Sequence, residues 1–140
     1  MAYAQDMRVA AHRHLRAAQV LHDHSGPGSQ PGCIAVAGYI FGIAGELALK
    51  EMMRDSGIKP LESTQRRDDP FFAHFPHLKT MLATASGRRA GELRIFSENP
   101  QLFQYWDISM RYAPTVDVEV PWVASWRASA ESLIVAMESS

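Results

Sequence analysis

Ala37-Gly38-Tyr39-Ile40-Phe41-Gly42-Ile43-Ala44-Gly45-Glu46-Leu47-Ala48-Leu49-Lys50 is the stretch that decides the fold. Its apolar residues recur with a helical period, yet it holds three glycines, each of which costs up to about 1 kcal/mol against alanine in a helix interior. That cost needs a packing or functional reason, so the sequence predicts a helix that something approaches closely. Apolar residues cover most of its circumference, the mark of a central helix packed on several sides. The helix is predicted from about 31 to 55, with Pro31 in its first turn. Asp55-Ser56-Gly57 closes it through a left-handed glycine, with Pro60 shortly beyond.

Toward the N-terminus, Met7, Ala11, Leu15, Ala18 and Leu21 form one stripe of an amphipathic helix over roughly 2–24, and Ser25 to Gly32 reads as a loop. Toward the C-terminus, residues 58–73 are polar and proline-bounded, a long mobile connection of the kind that carries function. Pro76 to Ala85 is a short helix with Leu78, Met81, Leu82 and Ala85 inward, stopped by Gly87; a further helical pattern holds Leu93 and Phe96. Asn99 caps one more turn that carries Leu102, Phe103 and Trp106 inward, and Arg111-Tyr112-Ala113-Pro114 is irregular. Val116 to Val120 alternates like a strand without a partner, and residues 121–138 repeat Trp122, Trp126, Ala130, Leu133 and Met137 as a helical stripe. The expected fold is a single all-α domain over 1–140, an up-and-down bundle of four to five helices.

Composition narrows the partners. The 140 residues are 46% hydrophobic, enough for a real core, and the net charge of −1 supplies no overall field for nucleic acid, so any such contact rests on a local patch. A lone cysteine, Cys33, forms no internal disulfide and reads as a small buried thiol. With no signal-peptide pattern and no apolar run read as approaching the ~20 residues of a span, a cytoplasmic protein without membrane contact is expected. Nothing in the sequence asks for a cofactor. His12, His14, His22 and His24 have metal-like spacing but point in different directions on a helix, so they read as surface histidines and no metal site is expected.

Tyr39, Glu46, Lys50 and Met53 share one side of the central helix, with Glu46 and Lys50 in the favourable i, i+4 order. The small residues Gly42, Gly45 and Ala48 around Glu46 make a solvated ion pair and a buried, hydrogen-bonded hub both open readings. Trp106, Trp122 and Trp126 with Tyr105 read as core aromatics before base-stacking ones. Arg88, Arg89 and Arg94, and separately Arg66 and Arg67, are small basic groups within reach of phosphates or simply solvated.

The order Gly-Tyr-x6-Glu-x3-Lys (38–50), His74 or His77 near the start of the third helix, then Arg-Tyr-x-Pro (111–114) resembles the higher eukaryote and prokaryote nucleotide-binding (HEPN) family over about residues 7–138. The resemblance implies a helical bundle, usually a homodimer, often from toxin–antitoxin, defence or stress loci. Some members are metal-independent RNases and others non-catalytic partners of small nucleotidyltransferases. The RNase branch carries Arg followed four to six residues later by His on a late helix. This chain has no histidine after His77, and its similarly spaced pairs, Arg8 with His14, Arg16 with His22 and Arg67 with His74, lie on other elements. Arg111 and Tyr112 match the other branch.

The expected function is a HEPN-like binding module, more a binder than an enzyme. It engages a nucleotide, RNA, or a nucleotidyltransferase or antitoxin partner through a groove lined by Tyr39, Glu46, Lys50, Arg111 and Tyr112. One alternative is a toxin-type endoribonuclease with His74 or His77 as the acid–base group and Arg67 or Arg111 on the phosphate. The other is a structural dimerisation protein.

Overall fold

The computed structural model describes residues 3–28, 30 and 32–139; Pro31, expected in the first turn of the central helix, lies outside them. Five α-helices are present among these residues: α1 (Met7–Asp23), α2 (Cys33–Asp55), α3 (His77–Met81), α4 (Ala90–Glu98) and α5 (Val120–Glu138). The fold is all-α, and five short 3-10 helices fill the connections. Val116 to Val120, expected to be strand-like, instead holds part of a 3-10 turn (Thr115–Asp117) and the start of α5. Among the described residues no strand offers its backbone, so that alternation has nothing to pair with.

Helix ends are set by their caps. Asp6 accepts the Val9 amide at 3.0 Å and starts α1 five residues later than the stripe suggested. At the other end of the hairpin, Gly57 (φ +90°) closes α2: its amide bonds Arg54 O at 3.0 Å and the Ile58 amide bonds Met53 O at 3.0 Å, a Schellman motif. Arg111 and Tyr112, expected to be irregular, close a 3-10 helix (Ile108–Tyr112) whose start is capped by Asp107 on the Ser109 amide at 2.8 Å.

Polar contacts fix the directions. Arg8 reaches Glu51 and Glu138, while Arg127 reaches Asp23, so α1 runs antiparallel to both α2 and α5. Arg89, before α4, binds Asp55 and the carbonyls of Ala136 and Met137 at the C-terminal ends of α2 and α5, and the turn after α4 returns Trp106 to Gly38. Helices α1, α2, α4 and α5 therefore alternate up and down, with α3 interposed.

The glycines of α2 have a packing reason. A Cβ on Gly42 would overlap the Trp106 indole, one on Gly45 would overlap the Phe103 ring, and one on Gly38 would lie 2.9 Å from Trp126. Three buried aromatics thus fill three notches, and Trp106 is locked by donating Nε1–H to Gly38 O at 3.0 Å. Phe103 and Tyr105 adopt left-handed φ of 52° and 70°, strain held by this wedging: Phe103 also stacks on Phe75 at 4.7 Å. Trp126 donates to Gln104 O at 2.8 Å, fixing the same turn from α5. By length and apolar composition α2 is, contrary to the sequence reading, long enough to cross a bilayer; here it is the walled centre of the bundle.

Candidate functional site

The carboxylate of Glu46 is 2% exposed, and two donors hold it. His74 Nδ1 lies 2.8 Å from Oε1, and the Phe75 amide donates to Oε2 at 2.7 Å. Glu46 is therefore the buried hub, not the solvated half of an ion pair. Burial raises its pKa above the ordinary glutamate value even though both hydrogen bonds pull the other way. Lys50, 8% exposed, sits in the field of Glu46 and of Asp69 but forms no direct ion pair with either, because Glu46 turns toward His74 and Phe75; burial lowers its pKa. Of the two readings the sequence left open, the buried hub holds and the solvated Glu46–Lys50 pair does not.

The chain reaches this cluster through residues 58–73, the long connection expected to carry function. Two 3-10 turns (Ser63–Asp68 and Pro70–Phe72) fold around Asp69, which is 1% exposed. Its carboxylate accepts the Leu61 amide at 2.9 Å and the Phe71 amide at 3.0 Å. The Asp-Pro pair is a helix-start signature in the sequence, and the sequence reading passed over it. Asp69 thereby places His74 over Glu46. The outcome is an imidazole oriented by a buried carboxylate, its side chain 44% exposed. With Nδ1 engaged, Nε2 is the nitrogen left to face solvent.

Arg111 and Tyr112 do not join that cluster. The guanidinium is fully solvent-exposed and lies 4.9 Å from the centre of the Tyr112 ring; the Tyr39 phenol, and after it the Tyr112 phenol, raise its pKa above the ordinary arginine value. Glu46 and Arg111 share no contact among the described residues, so the single groove expected from Tyr39, Glu46, Lys50, Arg111 and Tyr112 is two places. Trp106 separates them: its indole stacks on Tyr39 at 6.0 Å and 13°, and meets Phe75 edge-on at 6.0 Å. Tyr39 goes with Arg111, at seven residues or about 10 Å along the helix from Glu46. The recess there has a volume of about 220 Å³ and is lined by Tyr39, Met110, Arg111, Thr115 and the first turn of α2.

His77 is exposed at the start of α3, and Arg67 is exposed on the Ser63–Asp68 turn; neither side chain has a hydrogen-bond or ion-pair partner among the described residues. The four N-terminal histidines have separate partners: Glu138 for His12, Ala10 O for His14, Arg127 for His22 and Val20 O for His24. Among the described residues no three His, Cys, Asp or Glu converge as metal ligands.

The fold and these two clusters define an all-α bundle with a buried carboxylate that holds a half-exposed imidazole, and an exposed arginine at a recess. A comparison with protein families, with curated proteins and with solved structures finds no match to this chain.

Proposed function

We propose that the chain is a HEPN-like helical binding module that takes a phosphate-bearing ligand, a nucleotide or an RNA segment, at Tyr39, Arg111 and Tyr112. The observation that supports this most is the state of Arg111. It is wholly exposed, has no carboxylate partner among the described residues, and lies against the Tyr112 ring at the mouth of a recess that Tyr39 also lines. A guanidinium so placed matches phosphate oxygens bidentately. The recess, at about 220 Å³, falls below the roughly 300 Å³ at which small-molecule pockets begin. It suits a phosphate or a ribose, leaving the base to stack on Tyr112, which is 77% exposed. Trp106, stacked under Tyr39, is the built-in reporter. Titration with nucleotides and short single-stranded RNAs, followed by tryptophan fluorescence, is expected to give saturable quenching that Arg111→Ala removes and Glu46→Gln leaves intact. A flat titration with every ligand overturns the reading.

The Glu46–His74 pair favours a second reading, metal-independent RNA cleavage. A carboxylate on Nδ1 fixes the imidazole so that Nε2 can take the proton of a ribose 2′-hydroxyl while that oxygen attacks the adjacent phosphorus. The 5′-oxygen leaves as an alcohol by taking a proton from solvent water, and Arg67 is an exposed cation of the neighbouring turn. Cleavage of RNA in the presence of chelator, lost in His74→Ala and retained in Arg111→Ala, is the result this reading requires. A homodimer, and a nucleotidyltransferase or antitoxin partner, belong to the same family-based proposal; sedimentation and co-purification measure them.

A further inference from the structure

A large cavity among the described residues lies away from both places. About 940 Å³ in volume, it opens where the segment before α1 passes over the 58–73 connection, between Tyr3 and Met7 on one side and Phe71 and Phe72 on the other. That volume is at the upper end of small-molecule sites. Its walls leave apolar surface uncovered: Phe72 is 50% exposed and Tyr3 86%. Two arginines, Arg54 and Arg66, stand in this wall and differ in their engagement. Arg54 is held by the buried Glu51 through Nε at 3.2 Å and through a second guanidinium nitrogen. Arg66 lies 4.8 Å over the Phe72 ring and, among the described residues, its side chain has no hydrogen bond and no carboxylate partner.

We propose that this cavity binds a small amphipathic monoanion, an apolar carboxylic acid whose chain or ring lies between Phe71, Phe72 and Tyr3 and whose carboxylate pairs with Arg66. The walls supply dispersion and apolar burial for the body of the ligand. One free guanidinium supplies one charge, in the planar geometry a carboxylate matches. A polyphosphate finds a single unengaged cation here and lacks counter-charge; a neutral molecule of the same length leaves Arg66 unused.

Calorimetric titration of the full chain with decanoate and with decanol tests this. Decanoate is expected to bind saturably, about tenfold or more tightly than decanol. Arg66→Met is expected to bring decanoate down to the decanol affinity without changing decanol binding. Phe72→Ala is expected to weaken both ligands together. Both residues are exposed, so the variants keep the melting temperature of the parent chain. No saturable binding of decanoate, equal affinity for acid and alcohol, or an Arg66→Met variant that still prefers the acid each overturns the proposal.

Discussion

The two halves of α2 differ in what they are buried against. From Gly38 to Gly45 the helix is notched, and the notches are filled by Trp126, Trp106 and Phe103. From Glu46 to Glu51 it carries three ionisable side chains that are 2%, 8% and 3% exposed: Glu46 is answered by His74 and the Phe75 amide, Glu51 by arginines from α1 and the last turn of α2, and Lys50 lies between them without a direct ion pair. The first half is a steric lock, indifferent to pH. The second is an electrostatic one, in which desolvation works against the charges of Glu46 and Lys50. Substitutions should therefore separate the halves by magnitude and by pH response.

The largest losses belong to the notches. Trp106→Ala empties a fully buried indole and is expected to cost about 3–5 kcal/mol, read from denaturant unfolding. Gly42→Ala drives a methyl into the same ring and is expected to cost about 3 kcal/mol, near the top of the overpacking range. Combining the two should recover part of the sum, since the new methyl then occupies emptied space. Simple additivity would break the lock-and-notch account.

A smaller effect comes from Glu46→Gln. The amide keeps one acceptor for two donors and turns its NH2 toward the other, a mismatch of about 1–3 kcal/mol that the removal of a buried charge partly offsets. The sign of the pH response follows from the raised pKa. In the folded state Glu46 holds its proton more tightly than in the unfolded chain, where 4.5 is the reference. Its burial penalty is therefore absent below that value and grows as pH rises through the window up to the folded value. The stability difference between the parent chain and Glu46→Gln should shrink as pH rises through this window. Lys50→Met removes a cation that lowers the Glu46 pKa, so the window should extend to higher pH in that variant. Unfolding curves between pH 4 and 8 show this, and identical profiles with and without Lys50 would contradict it.

Much of the fold was legible in the sequence. The glycine-thinned stretch, the Gly57 closure and the Trp126-Ala130-Leu133-Met137 stripe are local patterns, and local physics fixes them. The identity of what fills the notches was not legible, because it depends on Phe103 and Tyr105 taking left-handed backbone that no non-glycine sequence advertises. The site was half legible. Glu46 stood out by its apolar surroundings, and His74 by its position. Their union depends on Asp69 folding the 58–73 segment, a contact made between residues far from Glu46 in sequence. Pairing Glu46 with Arg111 failed because helical periodicity places Tyr39 and Glu46 on one side but says nothing of the indole wedged between their partners.

Arg111 has the smallest structural role of these residues, and Arg111→Ala is expected to change stability by no more than about 0.5 kcal/mol. That makes it the most direct probe of the binding account. Tryptophan-monitored titration of Arg111→Ala beside the parent chain, with a short single-stranded RNA and with nucleotides, is the deciding measurement. The account predicts saturable binding by the parent, its loss in the variant and an unchanged melting temperature; equal binding by both proteins would contradict it.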